Sequence, residues 1–230
     1  MTGQLVFDLP VRRAEGRGDF FVSGCNARAV ALIDKWPDWD MAAQCLVGPP
    51  RCGKSHLSGV LLSQAGGHMV NGEELATHAI AEAVEAWLSQ LGANNDADAI
   101  MIVDRLENLP PQGEETLFHM INHAHNSGSK LLLVSRRSPA HLDIELPDLA
   151  SRLRALPVSD MGMPDDELVR GLLVKLFNDR QVVVGARVIE YLLPRIERDF
   201  NAIETLVADI DQRAMREQRG ITVPLVAELV

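Results

Sequence analysis

Long apolar runs are missing from this 230-residue sequence. No stretch approaches the roughly 20 consecutive apolar residues that a membrane-spanning helix needs, so no membrane segment is expected. The N-terminus lacks a basic-then-apolar secretory pattern and carries Gln4 and the acidic Asp8 early, which makes a cytoplasmic location the expectation. Cysteine is scarce. Cys25, Cys45 and Cys52 form no CxxC pair and suggest no disulfide framework. Positive charge is also in short supply: 22 Lys and Arg face 32 Asp and Glu, for a net charge of −10. That balance weighs against broad nonspecific binding of nucleic acid, which neutralises phosphates with Lys and Arg, and favours protein partners. What is present is ordinary globular material, 47% hydrophobic with a mean hydropathy of +0.01. The length suits one large domain, or a domain and a smaller companion.

The most informative stretch is Gly48-Pro49-Pro50-Arg51-Cys52-Gly53-Lys54-Ser55, a G-x-x-x-x-G-K-S sequence. Glycines let the backbone turn tightly, so that several N–H groups converge on phosphate oxygens. Lys54 has the reach for β- and γ-phosphates, and the Ser55 hydroxyl suits the shell of a Mg²⁺. A chance glycine-rich turn is the competing reading, and the flanks argue against it. Residues 42–47 are a short apolar run fit for a buried parallel strand, while Leu57, Val60 and Leu61 recur at helical spacing afterwards. We read Cys52 as a small loop-filling residue rather than a redox sensor.

Along the chain, Met1 to Gly18 reads as a tail with one apolar island, Gln4-Leu5-Val6-Phe7-Asp8-Leu9-Pro10. Such an island docks as an extended peptide or is a frayed end; composition alone does not choose. Ala27–Ile33 reads as a helix ended near Trp36-Pro37. Strands are expected at 68–70, 99–104, 130–135 and 156–158. Between them helices are expected over Gly72–Leu91, Glu114–Asn126 and Leu146–Ala155. Strands alternating with helices imply α/β architecture, a parallel sheet covered on both faces. From Pro164 onward only helices are expected, over 165–178, 186–195, 200–218 and 223–230, with an apolar stripe of Phe200, Ile203, Leu206, Val207, Ile210 and Ala214 read as core. The organisation is thus a tail (1–18), an α/β nucleotide-binding domain (19–162) and a small all-helical domain (163–230).

Chemistry follows that frame. Asp104 ends an apolar strand, where an acid beside a P-loop holds Mg²⁺ through water. Hydrolysing proteins of this class place a second acid next; here that position is Arg105, and the nearest acid, Glu107, is expected to be solvated beyond the strand end. The tip of the next strand offers Ser135 and Arg136 where an Asn, Thr or Asp is expected to probe the γ-phosphate. Nucleotide binding with weak or no intrinsic turnover is the expectation. Arg152 and Arg154 are either ordinary solvated arginines or, in an oligomeric P-loop ATPase, the source of an arginine reaching a neighbour's site, an effect worth about 10³–10⁵ in rate. His119, His123 and His125 lack HExxH spacing and a nearby Cys, so they are read as helix-surface histidines.

Taken together, the P-loop, Asp104, the Leu149-Ala150-Ser151-Arg152-Leu153 helix and the trailing helices resemble the DnaA/Hda family of AAA+ proteins over residues 19–230. Phe20-Phe21-Val22-Ser23-Gly24-Cys25-Asn26 is similar to the family's segment beside the adenine, with Gly24 and Asn26 in matching places. Initiators of the family continue into a helix-turn-helix domain, whereas this sequence stops at Val230, so no direct DNA-binding domain is expected. Shorter regulatory members carry a sliding-clamp-binding peptide of the form Gln-Leu-x-Leu-Pro-Leu, which Gln4, Leu5, Phe7 and Leu9 resemble. The Gly220-Ile221-Thr222-Val223-Pro224 end is also similar to theirs.

The resemblance implies ADP or ATP with Mg²⁺ as cofactors. The nucleotide contacts would be Gly24, Asn26, Gly48 to Ser55 (Pro49, Pro50, Arg51, Cys52, Gly53 and Lys54 between them), His56 and Asn201, with Ser55 and Asp104 on the metal. It implies two partners, a DnaA-type initiator and the DNA polymerase III sliding clamp (its beta subunit), and leaves a homo-oligomer open. Arg152 matches the arginine finger that stimulates hydrolysis of initiator-bound ATP. Arg136 replaces the sensor acid and Asn201 a phosphate-contacting Arg, which fits nucleotide held rather than turned over. The alternative is a self-sufficient ATPase of the helicase-loader type.

Overall fold

A computed structural model describes residues 20–84 and 100–230. They form two units, one of residues 26–49, 53–84 and 100–162, the other of residues 163–230 with 20–25 and 50–52.

The larger unit is built on a five-stranded parallel sheet: β1 (Ala43–Val47), β2 (Gly67–Asn71), β3 (Ile100–Asp104), β4 (Lys130–Ser135) and β5 (Val158–Asp160), in the order β2-β3-β4-β1-β5. Apolar runs without alternation mark the inner strands, because helices cover both faces of a parallel sheet. β1 is buried at every position and β3 at its first four. β2 and β5, at the edges, are largely exposed. Around the sheet lie α1 (Ala27–Asp34), α2 (Lys54–Ala65), α3 (Glu114–Ser127) and α4 (Pro147–Ala155). Leu117, Ile121 and Ala124 of α3 and Leu149 and Leu153 of α4 join Cys45, Val47, Val103 and Leu133 in one core. In a parallel sheet every strand ends on the same side. Val47, Asp104 and Ser135 therefore share one edge, and the chain beyond each supplies the polar groups gathered there.

The smaller unit is helical: α5 (Asp166–Asp179), α6 (Ala186–Leu192), α7 (Phe200–Glu217) and α8 (Val223–Val226). Phe200 and the stripe Ile203, Val207, Ile210 and Ala214 are buried, as the helical period requires, against Leu173, Phe177, Ile189 and Leu192. The starts of α5 and α7 are fixed chemically. Asp165 accepts from the Leu168 N–H at 2.8 Å and Asp199 from the Ala202 N–H at 2.9 Å.

Several expected bounds shift: the helices expected over 186–195 and 223–230 end at Leu192 and Val226. The helix expected over 72–91 begins as a separate 3₁₀ turn, Gly72–Ala76, and Thr77 is extended before residues 78–84 turn helical. Asn71 and Glu74 form a reciprocal capping box around this turn. Gly72 also lies where a Cβ would stand 2.8 Å from the Arg105 carbonyl, so the chain is pinned to the β3 end. The last strand runs Val158–Asp160 rather than 156–158. Pro157 has no N–H to give the ladder, and contributes only its carbonyl, which accepts from Cys45 N–H at 2.9 Å.

Candidate nucleotide-binding site

β1 ends at Val47 and α2 begins at Lys54, so the P-loop joins the end of an interior strand to the start of a helix. Helix N-termini expose unpaired N–H groups with a partial positive charge, which suits phosphate. Gly53 stands immediately before α2 with φ +99°, a left-handed conformation that glycine adopts without strain. Lys54 is buried, and its ammonium donates to the Gly48 and Pro49 carbonyls, each at 2.7 Å. A phosphate would have to draw the ammonium off these carbonyls. Ser55 Oγ donates to Asp104 Oδ2 at 3.3 Å, so two hard oxygen atoms of the kind a divalent cation takes stand together from α2 and β3. Residues 50–52 belong to the helical unit: Cys52 is buried, and Arg51, at φ +62°, pairs with Glu204 of α7.

The β3–β4 corner differs from the sequence reading. Arg105 is left-handed at φ +52°, and a 3₁₀ turn at Leu106–Asn108 follows it. Glu107 is thereby carried back toward β4 and is not solvated: its side chain is 11% exposed. Glu107 Oε2 accepts from Ser135 Oγ at 3.2 Å and from the Arg136 N–H at 3.0 Å, while Oε1 lies 3.2 Å from Arg136 Nε. Ser135 in turn accepts the Gly48 N–H on its carbonyl at 3.2 Å, which ties this corner to the P-loop. The acid three residues after Asp104 carried no local signal of burial, because its partners lie on another strand.

Arg152 sits elsewhere. It is exposed on α4 and has no ion pair among the described residues; its guanidinium lies 5.5 Å from the centre of the Phe118 ring. With Met41, Ala42, Ala43, Ile121 and His125 it borders a pocket of about 370 Å³ at the start of β1. The P-loop follows the other end of that strand, about 15 Å away at the rise of an extended chain. Arg152 is therefore at the opposite end of the sheet from its own P-loop. Glu114 positions the helix that carries it. This buried carboxylate of α3 accepts the Glu145 N–H at 3.0 Å and the Leu146 N–H at 2.7 Å, capping α4, whose preceding residue offers no side-chain cap. Sequence reading missed Glu114, since a cap 31 residues away leaves no local trace.

The other candidates are dispersed. Asn26 is buried at the start of α1, and Gly24 precedes it in a turn whose Cys25 N–H is accepted by Asp165 at 3.1 Å. His56 is exposed on α2, and Asn201 is exposed in the first turn of α7. Gln4, Leu5, Phe7 and Leu9 lie outside the described residues. His119 and His125 are exposed on α3 and His123 half-buried, and no group of three or more His, Cys, Asp or Glu residues able to hold a metal occurs among the described residues. Burial pushes the Cys45 thiol up to about 12. Among the described residues no helix is long and apolar enough to cross a membrane.

Known proteins share parts of this geometry. Residues 166–230 match the family described as Hda, lid domain. Domain III of the replication initiation protein DnaA from Thermotoga maritima superposes with a TM-score of 0.66 at 17% identity, over 92% of this chain and 93% of that one. AMPPCP-bound DnaA from Aquifex aeolicus gives 0.65 at 17% identity, over 86% of this chain and 64% of that one. An uncharacterised protein of Haemophilus influenzae is 26% identical over 140 residues, 60% of this chain and 61% of its own length, so the match spans under two thirds of that relative. This chain therefore shares the fold of DnaA domain III, and its residues 166–230 are similar to the Hda lid domain.

Proposed function

We propose that this chain is an Hda-like negative regulator of replication initiation, which holds ADP or ATP and presents Arg152 to ATP bound by a DnaA-type initiator. The observation that carries this reading is the placement of Arg152: exposed, without a carboxylate partner among the described residues, and at the far end of the sheet from its own P-loop. An arginine so placed is out of reach of its own nucleotide and available to a neighbour's. There its charge would stabilise the transferring phosphoryl group, an effect worth about 10³–10⁵ in rate.

The chain's own nucleotide would rest on Gly48 to Ser55, with Lys54 turned from the Gly48 and Pro49 carbonyls onto phosphate. Support comes from the AMPPCP-bound DnaA of similar fold. Ser55 and Asp104 form the hard oxygen pair that would hold Mg²⁺, whose charge would offset that of the phosphates. Gln4, Leu5, Phe7 and Leu9 would dock on the DNA polymerase III sliding clamp as an extended peptide. Tethering there raises the effective concentration of Arg152 where replication is under way. The cytoplasm is the compartment this role implies.

The test is hydrolysis of initiator-bound ATP with clamp-loaded DNA. Wild-type chain should stimulate it, Arg152→Ala should not, and removal of residues 1–10 should abolish both stimulation and comigration with the clamp. Stimulation by Arg152→Ala equal to wild type would refute the assignment.

A further inference from the structure

Glu107 is a largely shielded carboxylate, its side chain 11% exposed, that nucleotide holding does not need. Arg105 stands where the usual acid would be, but its left-handed backbone and the 3₁₀ turn after it swing Glu107 into the corner between β3 and β4. That corner is bounded on one side by Asp104, 3.3 Å from Ser55, and on the other by Ser135, whose carbonyl is bonded to the first residue of the P-loop. We propose that Glu107 is a latent general base of this chain's own nucleotide site, held out of use by Arg136, so that the chain carries a suppressed nucleotidase activity. The proposal rests on the reading of Gly48 to Ser55 as a nucleotide site.

The two carboxylate oxygens have different roles. Oε2 is fixed by Ser135 Oγ and by the main-chain N–H of residue 136. Neither donor depends on the side chain of Arg136. Oε1 lies 3.2 Å from Arg136 Nε, and that guanidinium is 57% exposed. Loss of the Arg136 side chain would leave Glu107 oriented and free Oε1 to take a proton. In the released state a water oxygen forms a bond to the γ-phosphorus. The bond from that phosphorus to the β,γ-bridging oxygen breaks, its electron pair leaves on ADP, and the proton of the attacking water passes to Oε1. While Arg136 stands paired with Oε1, a guanidinium lies 3.2 Å from the oxygen that must accept this proton. A positioned general base is worth about 10²–10⁴ in rate, which is the scale of the activity withheld.

The experiment uses the full chain alone, with neither initiator nor clamp, and ATP with Mg²⁺. Binding of a fluorescent ATP analogue, single-turnover hydrolysis and thermal melting are measured for wild type, Glu107→Gln, Arg136→Gln, Arg136→Met and the double variant Arg136→Gln/Glu107→Gln. Expected are unchanged analogue affinity, hydrolysis at least about tenfold above wild type in both Arg136 variants, and loss of that gain in the double variant. The melting losses of Arg136→Gln and Glu107→Gln should be non-additive, as for two groups in contact. The proposal is overturned if the folded Arg136 variants bind the analogue yet hydrolyse no faster, or if the gain survives Glu107→Gln. Loss of analogue binding in both would make Arg136 a phosphate ligand and also overturn it. Failure of wild type to bind the analogue would instead remove the nucleotide-site reading beneath it, while leaving the Arg152 assay to stand separately.

Discussion

Replacing Glu114 by alanine removes a cap that no residue of α4 supplies for itself. Its carboxylate, 3% exposed, accepts the Glu145 and Leu146 N–H groups at 3.0 and 2.7 Å. Hydrogen bonds to a charged group contribute about 1.5–3 kcal/mol each. Leu146 is half-buried and Glu145 exposed, so water can repair part of the loss. About 2–4 kcal/mol of destabilisation is therefore expected for Glu114→Ala. At about 2–4 °C per kcal/mol for a chain of this size, the α/β unit should melt roughly 4–16 °C lower. Glu114→Gln keeps one acceptor oxygen and should lose about half as much. Melting followed by circular dichroism checks the order wild type, Gln, Ala. Because α4 carries Arg152, the stimulation of initiator-bound ATP hydrolysis proposed above should fall in the same order at temperatures where all three remain folded. An alanine variant that melts within about 1 °C of wild type would refute the claim that this carboxylate holds α4.

Lys54→Ala should weaken binding of a fluorescent ADP analogue about 100- to 1000-fold, since the ammonium now on the Gly48 and Pro49 carbonyls is the cation proposed to turn onto phosphate; a titration giving wild-type affinity would remove the site. Cys45 gives a pH signature. Its folded thiol is raised from 9.0 to about 12 by burial, so its contribution to stability is complete below pH 9 and declines as pH rises from 9 toward 12, where only the unfolded chain ionises. Urea melts at pH 8 and pH 10.5 should show a steeper decline for wild type than for Cys45→Ala, and equal slopes would refute the assignment.

How much of this was legible in the sequence depends on how local each signal is. The P-loop could be read because six consecutive positions from Gly48 and the helix after it act through their own backbone. The run ending at Asp104 and the stripe through α7 were legible because their periods, continuous in a covered strand and helical in an amphipathic helix, are written in neighbouring residues. Gly72 was misread as the start of a long helix, since what interrupts that helix is the Asn71–Glu74 box and the close approach of the β3 end. Glu107 was misread as solvated for a similar reason: a left-handed Arg105 redirects it, and its donors come from residues 28 and 29 positions away.

By itself, then, the sequence determined the class of the fold and the place of the glycine-bearing loop between β1 and α2, because periodicity and glycine placement are properties of adjacent residues. Only the tertiary structure decided what surrounds that loop. Whether Glu107 meets water or Arg136, whether α4 is capped, and at which end of the sheet Arg152 stands are set by which strands lie side by side in the order β2-β3-β4-β1-β5. No local pattern encodes that order. It follows from burying both faces of the sheet at once, and it sets Gly48 to Ser55 beside an acid, with an outward-facing arginine at the far end of the sheet.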